Sequence, residues 1–332
     1  MTTLKQVAEH AGVSFKTVSR VLNGDPNVSP DTRAKVQDSI KALDYRPNMA
    51  ARSMRTGKSQ IIGFITDEVA TGPFAGNIIK GAQHEAWQHE KLLFVVNTES
   101  DPKIEQKAIA MMLERRVEGI LYGTWYHREA TPPAMLSEIP TVLVDCFVSD
   151  QSLPSVVPDE VRGGREATTA LLEKGHRRIG FLNDGNPVPA SKGRLMGYQQ
   201  ALANFGVAYD ESLVVLGSGN ASGGYDCALN LLQREDRPTA IFCFNDRMAM
   251  GAYDAIRKLG LRIPKDIAVI GFDNQEIIAA QLHPTLSSMQ LPHYEMGQWA
   301  VRYLIDCADE TGNLQPIQHY IECPLIERQS TG

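Results

Sequence analysis

Two groups of residues have types and spacing that could do chemistry. The first lies between Phe15 and Asn23, where Val18, Val21 and Leu22 share one side of a helix and Phe15, Lys16, Thr17, Ser19 and Arg20 are left on the other. A guanidinium and an ammonium on an exposed helical face can reach guanine edges, and hydroxyls beside them can meet phosphates. A merely structural helix more often carries Glu/Lys pairs there. The second group follows short apolar runs: Asp67 to Phe74, Trp125 and Tyr126, Asp145, Asn183 and Asp184, Asn245 and Asp246, Asp273 and Asn274. Amides and carboxylates beside aromatic rings suit a sugar, whose vicinal hydroxyls take paired hydrogen bonds while its C–H face stacks on a ring. Asp246 precedes a helical stretch and reads as its cap rather than as a ligand group.

Enzyme signatures fare worse. His84 and His89 flank an acidic residue as in a zinc protease, but five positions put them about 140° apart on a helix, where one metal cannot be shared. Gly217-Ser-Gly219 lacks the third glycine of a dinucleotide loop, since Ser222 stands there, and no Walker loop or nucleophile elbow occurs. No cofactor and no metal is expected, and a sugar-processing enzyme finds no acid/base pair to build on. The five cysteines, Cys146, Cys227, Cys243, Cys307 and Cys323, lie far apart and read as reduced, packed thiols.

The elements that position these groups are legible in the periodicity. Leu4, Val7, Ala8 and Ala11 line one helix face after a Thr cap, Gly12 breaks it, and Ser14 can cap the helix that carries the first group. Ser29 and Pro30 then open a third helix that buries Val36, Ile40 and Leu43. Two short helices about a glycine turn make a helix-turn-helix. A stretch capped by Asn48 and stopped by Gly57 is only about two turns long, so it should fold only when held against a partner; a flexible linker with an incidental Met54 is the alternative. From Gln60 onward, runs such as IIGFIT, RIGFLND and IAVIGFDN alternate with amphipathic stretches, predicting parallel sheets with helices on both faces and ligands beyond the carboxyl ends of the strands.

Charge follows the same division. Residues 1–58 carry 10 Lys+Arg against 5 Asp+Glu, leaving 23 against 34 for the remainder of a chain whose net charge is −6. A basic segment on an acidic body is the footprint of a polyanion-binding module, although a solvated basic tail would give the same charge. No apolar run reaches membrane-spanning length and no signal peptide precedes Thr3, so the protein is expected to stay in the cytoplasm, with no membrane partner.

The segment LKQVAEHAGVSFKTVSRVLNGDPNVSPDTRAKVQDSIKALDYRPN resembles the headpiece of the LacI/GalR family of bacterial repressors. That resemblance implies base contacts from Phe15, Lys16 and Arg20, and backbone contacts from Thr17, Ser19, Asn23, Ser29 and Arg33. It also implies a hinge helix, begun by Asn48, that enters the minor groove. Met54 stands where the family has an intercalating Leu. Gly175-His-Arg-Arg-Ile-Gly180, Arg194-Leu-Met-Gly197-Tyr, Asn245-Asp-Arg-Met-Ala and Gly271-Phe-Asp-Asn274 extend the resemblance through the rest of the chain. They imply an α/β, periplasmic-binding-protein-like core of two doubly wound lobes, in which Arg194, Asn245 and Asp273 touch an effector and Phe74 and Trp125 stack on it. Asp145 lies at another strand end, and Asp159 opens the second lobe near the hinge.

The expected division is a headpiece over 1–46, a hinge helix and linker over 47–58, and an effector-binding and dimerisation core over 59–332. Its first lobe would take about 59–158 and 287–317, and its second about 159–286 and 318–332. LPSVVPDE, MQLPHYEMGQWA and ECPLIER are similar to repressors of sucrose-utilisation genes, which implies sucrose or a related fructoside as effector. The expected protein is a homodimer on double-stranded operator DNA, repressing carbohydrate-utilisation genes and modulated by a sugar acting as inducer; the residues leave the sign of the response and any phosphocarrier partner open. No apolar heptads follow Ile326, which favours a dimer over a tetramer. A periplasmic sugar-binding protein would share the core but would require export and would not need the headpiece.

Overall fold

The structure, a computed structural model, describes residues 2–22, 24–45, 58–68, 75–310 and 314–332, without the side chains of 75, 125 and 308–310. The chain divides into two compact units, Met1–Gln60 and Ile61–Gly332.

In the first unit, helices α1 (Leu4–Ala11), α2 (Phe15–Leu22) and α3 (Pro30–Ala42) enclose a small core of Val7, Ala8, Val18, Val21, Val28, Val36 and Tyr45. Thr3 and Gln6 form a capping box at α1, and Gly12 closes that helix at a φ of 64°, a left-handed conformation suited to glycine. Ser14 accepts from Thr17 N at the start of α2, and Ser29 caps α3 ahead of Pro30.

The second unit holds two six-stranded sheets. The first runs β2 (Leu92–Asn97), β1 (Ile61–Thr66), β3 (Ile120–Glu129), β4 (Thr141–Phe147), β5 (Ser155–Pro158) and β11 (Gln318–Ile321), all parallel. The second runs β7 (Val214–Gly217), β6 (Ile179–Asp184), β8 (Ala240–Cys243), β9 (Ala268–Asp273), β10 (Ser287–Gln290) and β12 (Leu325–Ile326), parallel except for the last pair. Helices α4 (Ala75–Gln88), α5 (Pro102–Glu114) and α11 (His293–Glu310) cover the first sheet. The second carries α6 (Glu160–Glu173), α7 (Pro189–Asn204), α8 (Ala221–Leu232), α9 (Asp246–Lys258) and the short α10 (Glu276–Ala279). Burial on both faces explains the unbroken apolar runs. Ile62 and Phe64 of β1 enter the core beneath α4 and α11, while Ile65 enters the opposite core beneath α5.

The lobe boundaries differ from those expected. Strand β10 belongs to the second sheet and β11 to the first, so the chain crosses between lobes after Pro158, after Gln290 and after Ile321. Periodicity marks a strand but carries no information about which sheet supplies its neighbours. At the first crossing Asp159 caps α6, its carboxylate accepting from Arg162 N, and the next residue, Glu160, turns inward.

Helices α6 and α7 pack backbone to backbone through reciprocal glycines. A β-carbon on Gly164 would lie 2.4 Å from the Arg194 carbonyl oxygen, and one on Gly197 would lie 2.1 Å from that of Val161. Gly164→Ala should therefore force α7 outward and destabilise the second unit by about 1–3 kcal/mol. Denaturant titration of its unfolding transition checks this; an unchanged midpoint would mean that the contact is not tight.

Candidate functional site

In the first unit, α2 turns Val18 and Val21 into the core and leaves a polar arc outside. Phe15 is 57% exposed, Lys16 is exposed, and Thr17, Ser19 and Arg20 are half-buried. Arg20 Nε donates to Asp25 Oδ2 at 2.8 Å, and the guanidinium holds that carboxyl down at about 2. Arg33 Nη2 donates to the Asp25 carbonyl oxygen at 2.6 Å, tying α3 to the turn that follows α2. The structure thus gathers Phe15, Lys16, Thr17, Ser19 and Arg20 on one helix, with exposed Ser29 and half-buried Arg33 opening the next. Asn23, Asn48 and Met54 lie outside the described residues.

The second unit contains a cavity of about 580 Å³ where the chain crosses between lobes. The first lobe contributes Tyr126, His127, Asp145 and Pro158, and the second contributes Asp184, Arg194, Asn245, Arg247 and Asp273. Glu160, Leu291 and His293 come from the crossings themselves. Apart from Arg194, which reaches in from within α7, these residues lie in the last residues of β3, β4, β5, β6 and β9 or just beyond β5, β8 and β10, because every helix returns the chain to the same edge of a parallel sheet.

A buried ion cluster organises the wall. Arg194 is 3% exposed; its Nε donates to Glu160 Oε2 at 2.7 Å, its Nη1 donates to the Phe244 carbonyl oxygen, and Asp273 Oδ1 lies 3.8 Å away. The guanidinium carbon sits 3.6 Å from the centre of the Phe272 ring. Burial would push the Glu160 carboxyl up, but the Arg194 charge and His127 outweigh it and hold it at about 2. Asp273 goes the other way: burial pushes it up to about 6 against the pull of Arg194. Asp273 at φ 104° and Asp145 at φ 59° are both in left-handed backbone conformations, strained for residues with a side chain.

Asn245 accepts from Met248 N at 2.8 Å and donates to the Gly219 carbonyl oxygen, so it is Asn245 that caps α9. Asp246, read as the cap from its place before the helix, instead accepts from Ser288 Oγ and Gln275 N, and burial with the Asp273 charge nearby raises its carboxyl well above the ordinary range. A capping Asn and an acidic first helical residue leave the same sequence signature one position apart.

Of the expected effector residues, Asp145, Arg194, Asn245 and Asp273 come together on the cavity wall. Phe74 lies outside the described residues; so does the Trp125 side chain, although its backbone is in β3. Glu160, His127, Arg247 and His293 were not anticipated, yet each lies within four residues of the end of a strand, where the rule that found Asp145 could have reached them.

The family described as bacterial regulatory proteins, lacI family, matches residues 3–48, and periplasmic binding proteins and sugar binding domain of LacI family matches residues 59–328. The chain is 33% identical over 332 residues to the HTH-type transcriptional regulator RegA of Clostridium saccharobutylicum, covering 99% of each chain. It is 33% identical over 307 residues to the ribose operon repressor of Escherichia coli K12, covering 92% of each. Among solved structures, the lac repressor dimer bound to operator and the anti-inducer ONPF is 28% identical with a TM-score of 0.77, and the match covers 99% of each chain. The complex of the transcriptional regulator CelR with cellobiose is 30% identical with a TM-score of 0.69, covering 99% of this chain and 100% of that one.

The two cluster carboxyls predict opposite pH slopes. Glu160, depressed from an ordinary 4.5 to about 2, contributes stability that is present above 4.5 and lost as pH falls toward 2. Asp273, raised from 3.8 to about 6, contributes stability that is present below 3.8 and lost as pH rises through 6. Stability-versus-pH curves should be shallower at the acid end in Glu160→Gln and shallower around pH 6 in Asp273→Asn; slopes that neither substitution changes would contradict the assignment.

Proposed function

The chain belongs to the lacI family of bacterial regulatory proteins, and from that premise we propose that it is a cytoplasmic, homodimeric repressor of carbohydrate-utilisation genes whose grip on operator DNA is released by a sugar in the core cavity. The observation that carries the effector half of this reading is the position of the cavity. It lies where the chain crosses between lobes, so a ligand that touches both walls is placed to couple its binding to the angle between them. The sugar acts through its differential affinity for the DNA-competent and incompetent arrangements, and through nothing else.

On the DNA side, Phe15, Lys16 and Arg20 read base edges in the major groove, with Thr17, Ser19, Asn23, Ser29 and Arg33 on the phosphates and Asn48 to Met54 at the operator centre. The outward polar arc on α2 supports that assignment. On the sugar side, Arg194, Asn245, Asp273 and Asp145 supply the polar contacts, with Phe74 and Trp125 as stacking partners. The effector is sucrose or a related fructoside, a choice that rests on the similarity of three core segments to sucrose-gene repressors. A family of transcription regulators, with no reacting group expected in its cleft, gives a reading without catalysis.

Fluorescence anisotropy on a labelled operator from upstream of the chain's own gene tests both halves at fixed salt. Sequence-specific binding that sucrose or fructose weakens supports the proposal; absence of sequence-specific binding, also after unbiased selection of DNA sites, overturns it. Lys16→Ala and Arg20→Ala should each cost about 1–3 kcal/mol of operator affinity and relax the preference at one base position. A uniform loss across all sequences would instead make these phosphate contacts.

A further inference from the structure

On the described cavity wall, Asp145 Oδ1 and Arg247 Nε are buried without a hydrogen bond, and His127 is buried with both ring nitrogens in that condition. It is 8% exposed and faces the cavity, and neither ring nitrogen hydrogen-bonds to any described residue. The nearest polar atom in an ion pair with it is Glu160 Oε1, 3.5 Å from Nδ1, beyond the range of a well-formed hydrogen bond. The other Glu160 oxygen is committed to Arg194. Buried polar groups are normally bonded, because an unsatisfied one forfeits its hydration without return.

The backbone aims this ring on purpose. Strands β3 and β4 stay in register to Gly123 opposite Val144 and resume at Arg128 opposite Cys146, so residues 124–127 face the single residue Asp145. Thr124 Oγ1 clasps this bulge, within reach of the Tyr126 and Asp145 carbonyl oxygens at 2.8 and 3.0 Å. Phe147 packs edge-on against the imidazole, with centroids 5.8 Å apart. Bulges re-aim side chains next to binding sites, and this one delivers His127 and Asp145 together. Asp145 Oδ1 is likewise buried without a hydrogen bond among the described residues.

The chemistry these atoms ask for is specific. The imidazole offers an N–H donor, and Asp145 offers an acceptor. A sugar hydroxyl supplies both roles, whereas a phosphate ester supplies acceptors and charge. The described lining holds the four carboxyl side chains Asp145, Glu160, Asp184 and Asp273 against the guanidiniums of Arg194 and Arg247, and Arg194 is already engaged by Glu160 and Asp273. An added anion would meet mostly like charge.

We propose that His127 is a specificity-determining residue for the effector: from the first lobe its imidazole hydrogen-bonds hydroxyls of an uncharged sugar, and the wall around it rejects phosphorylated sugars. The proposal rests on the sugar-effector reading above. Its test uses the full chain, with calorimetry of sucrose and fructose as neutral probes and of their phosphate esters as charged ones, on the parent, His127→Gln and His127→Ala. Operator binding and melting of the same preparations report their folding. The neutral sugar should bind the parent at least tenfold more tightly than its phosphate ester, and both variants should weaken it at least tenfold. In the parent, the imidazole nitrogen resonances of His127 should shift when sugar is added, a readout that needs no folded variant.

Equal affinity in parent and variants with unmoved resonances overturns the role of His127, and tighter binding of the phosphate ester overturns the ligand class. In both cases the sugar still releases operator and the broader reading stands. A parent that binds operator but none of these sugars overturns the sugar-effector reading together with this proposal.

Discussion

A guanidinium cannot be buried alone, and that constraint organises the core. Arg194 reaches the middle of the second unit from α7, and there it needs the Glu160 carboxylate, the Phe244 carbonyl and the nearby Asp273 charge. Meeting that need draws together the first residues of α6 after a lobe crossing, the end of β8 and the end of β9. The glycines that let α6 and α7 approach set the guanidinium at the right depth, and Phe272 and Phe244 cover its faces. With the ion cluster fixed, the remaining groups at the strand ends are left facing an open cavity.

That location ties binding to shape. Glu160 is the second residue past one crossing and His293 the third past another, so the charged wall and the pivots of the lobes are built from the same short segments. A ligand that engages His127 and Asp145 on one side and Arg194 and Asn245 on the other spans both lobes. Asp145 and Asp273, both on the cavity wall, hold strained left-handed backbone conformations.

Much of this was legible in the sequence. Helix caps at Thr3, Ser14 and Ser29 and the alternation of strands and helices depend on local chemistry, which the order of residues records directly. The strand-end rule pointed to Asp145, Asn245 and Asp273, which line the same cavity because parallel sheets return their loops to one edge, whereas Arg194, inside α7, came from the family resemblance alone. Sheet membership of β10 and β11 was not legible, since a four-residue strand looks the same whichever neighbour it joins. His127 was missed for a related reason: only the bulge between β3 and β4 turns it inward, and a bulge depends on the partner strand. The Asn245 cap was misplaced by one residue because the choice between adjacent polar side chains is made by tertiary partners, here Ser288 and Gln275 for Asp246.

A repressor released by its effector requires one free energy that couples the core cavity to the DNA-reading helix. Linkage makes that coupling reciprocal, so the direct test is sugar affinity itself, measured by calorimetry on the full chain with and without saturating operator. Operator should weaken sucrose binding by the same factor by which sucrose weakens operator binding. Identical sucrose affinity in the presence and absence of operator would contradict it.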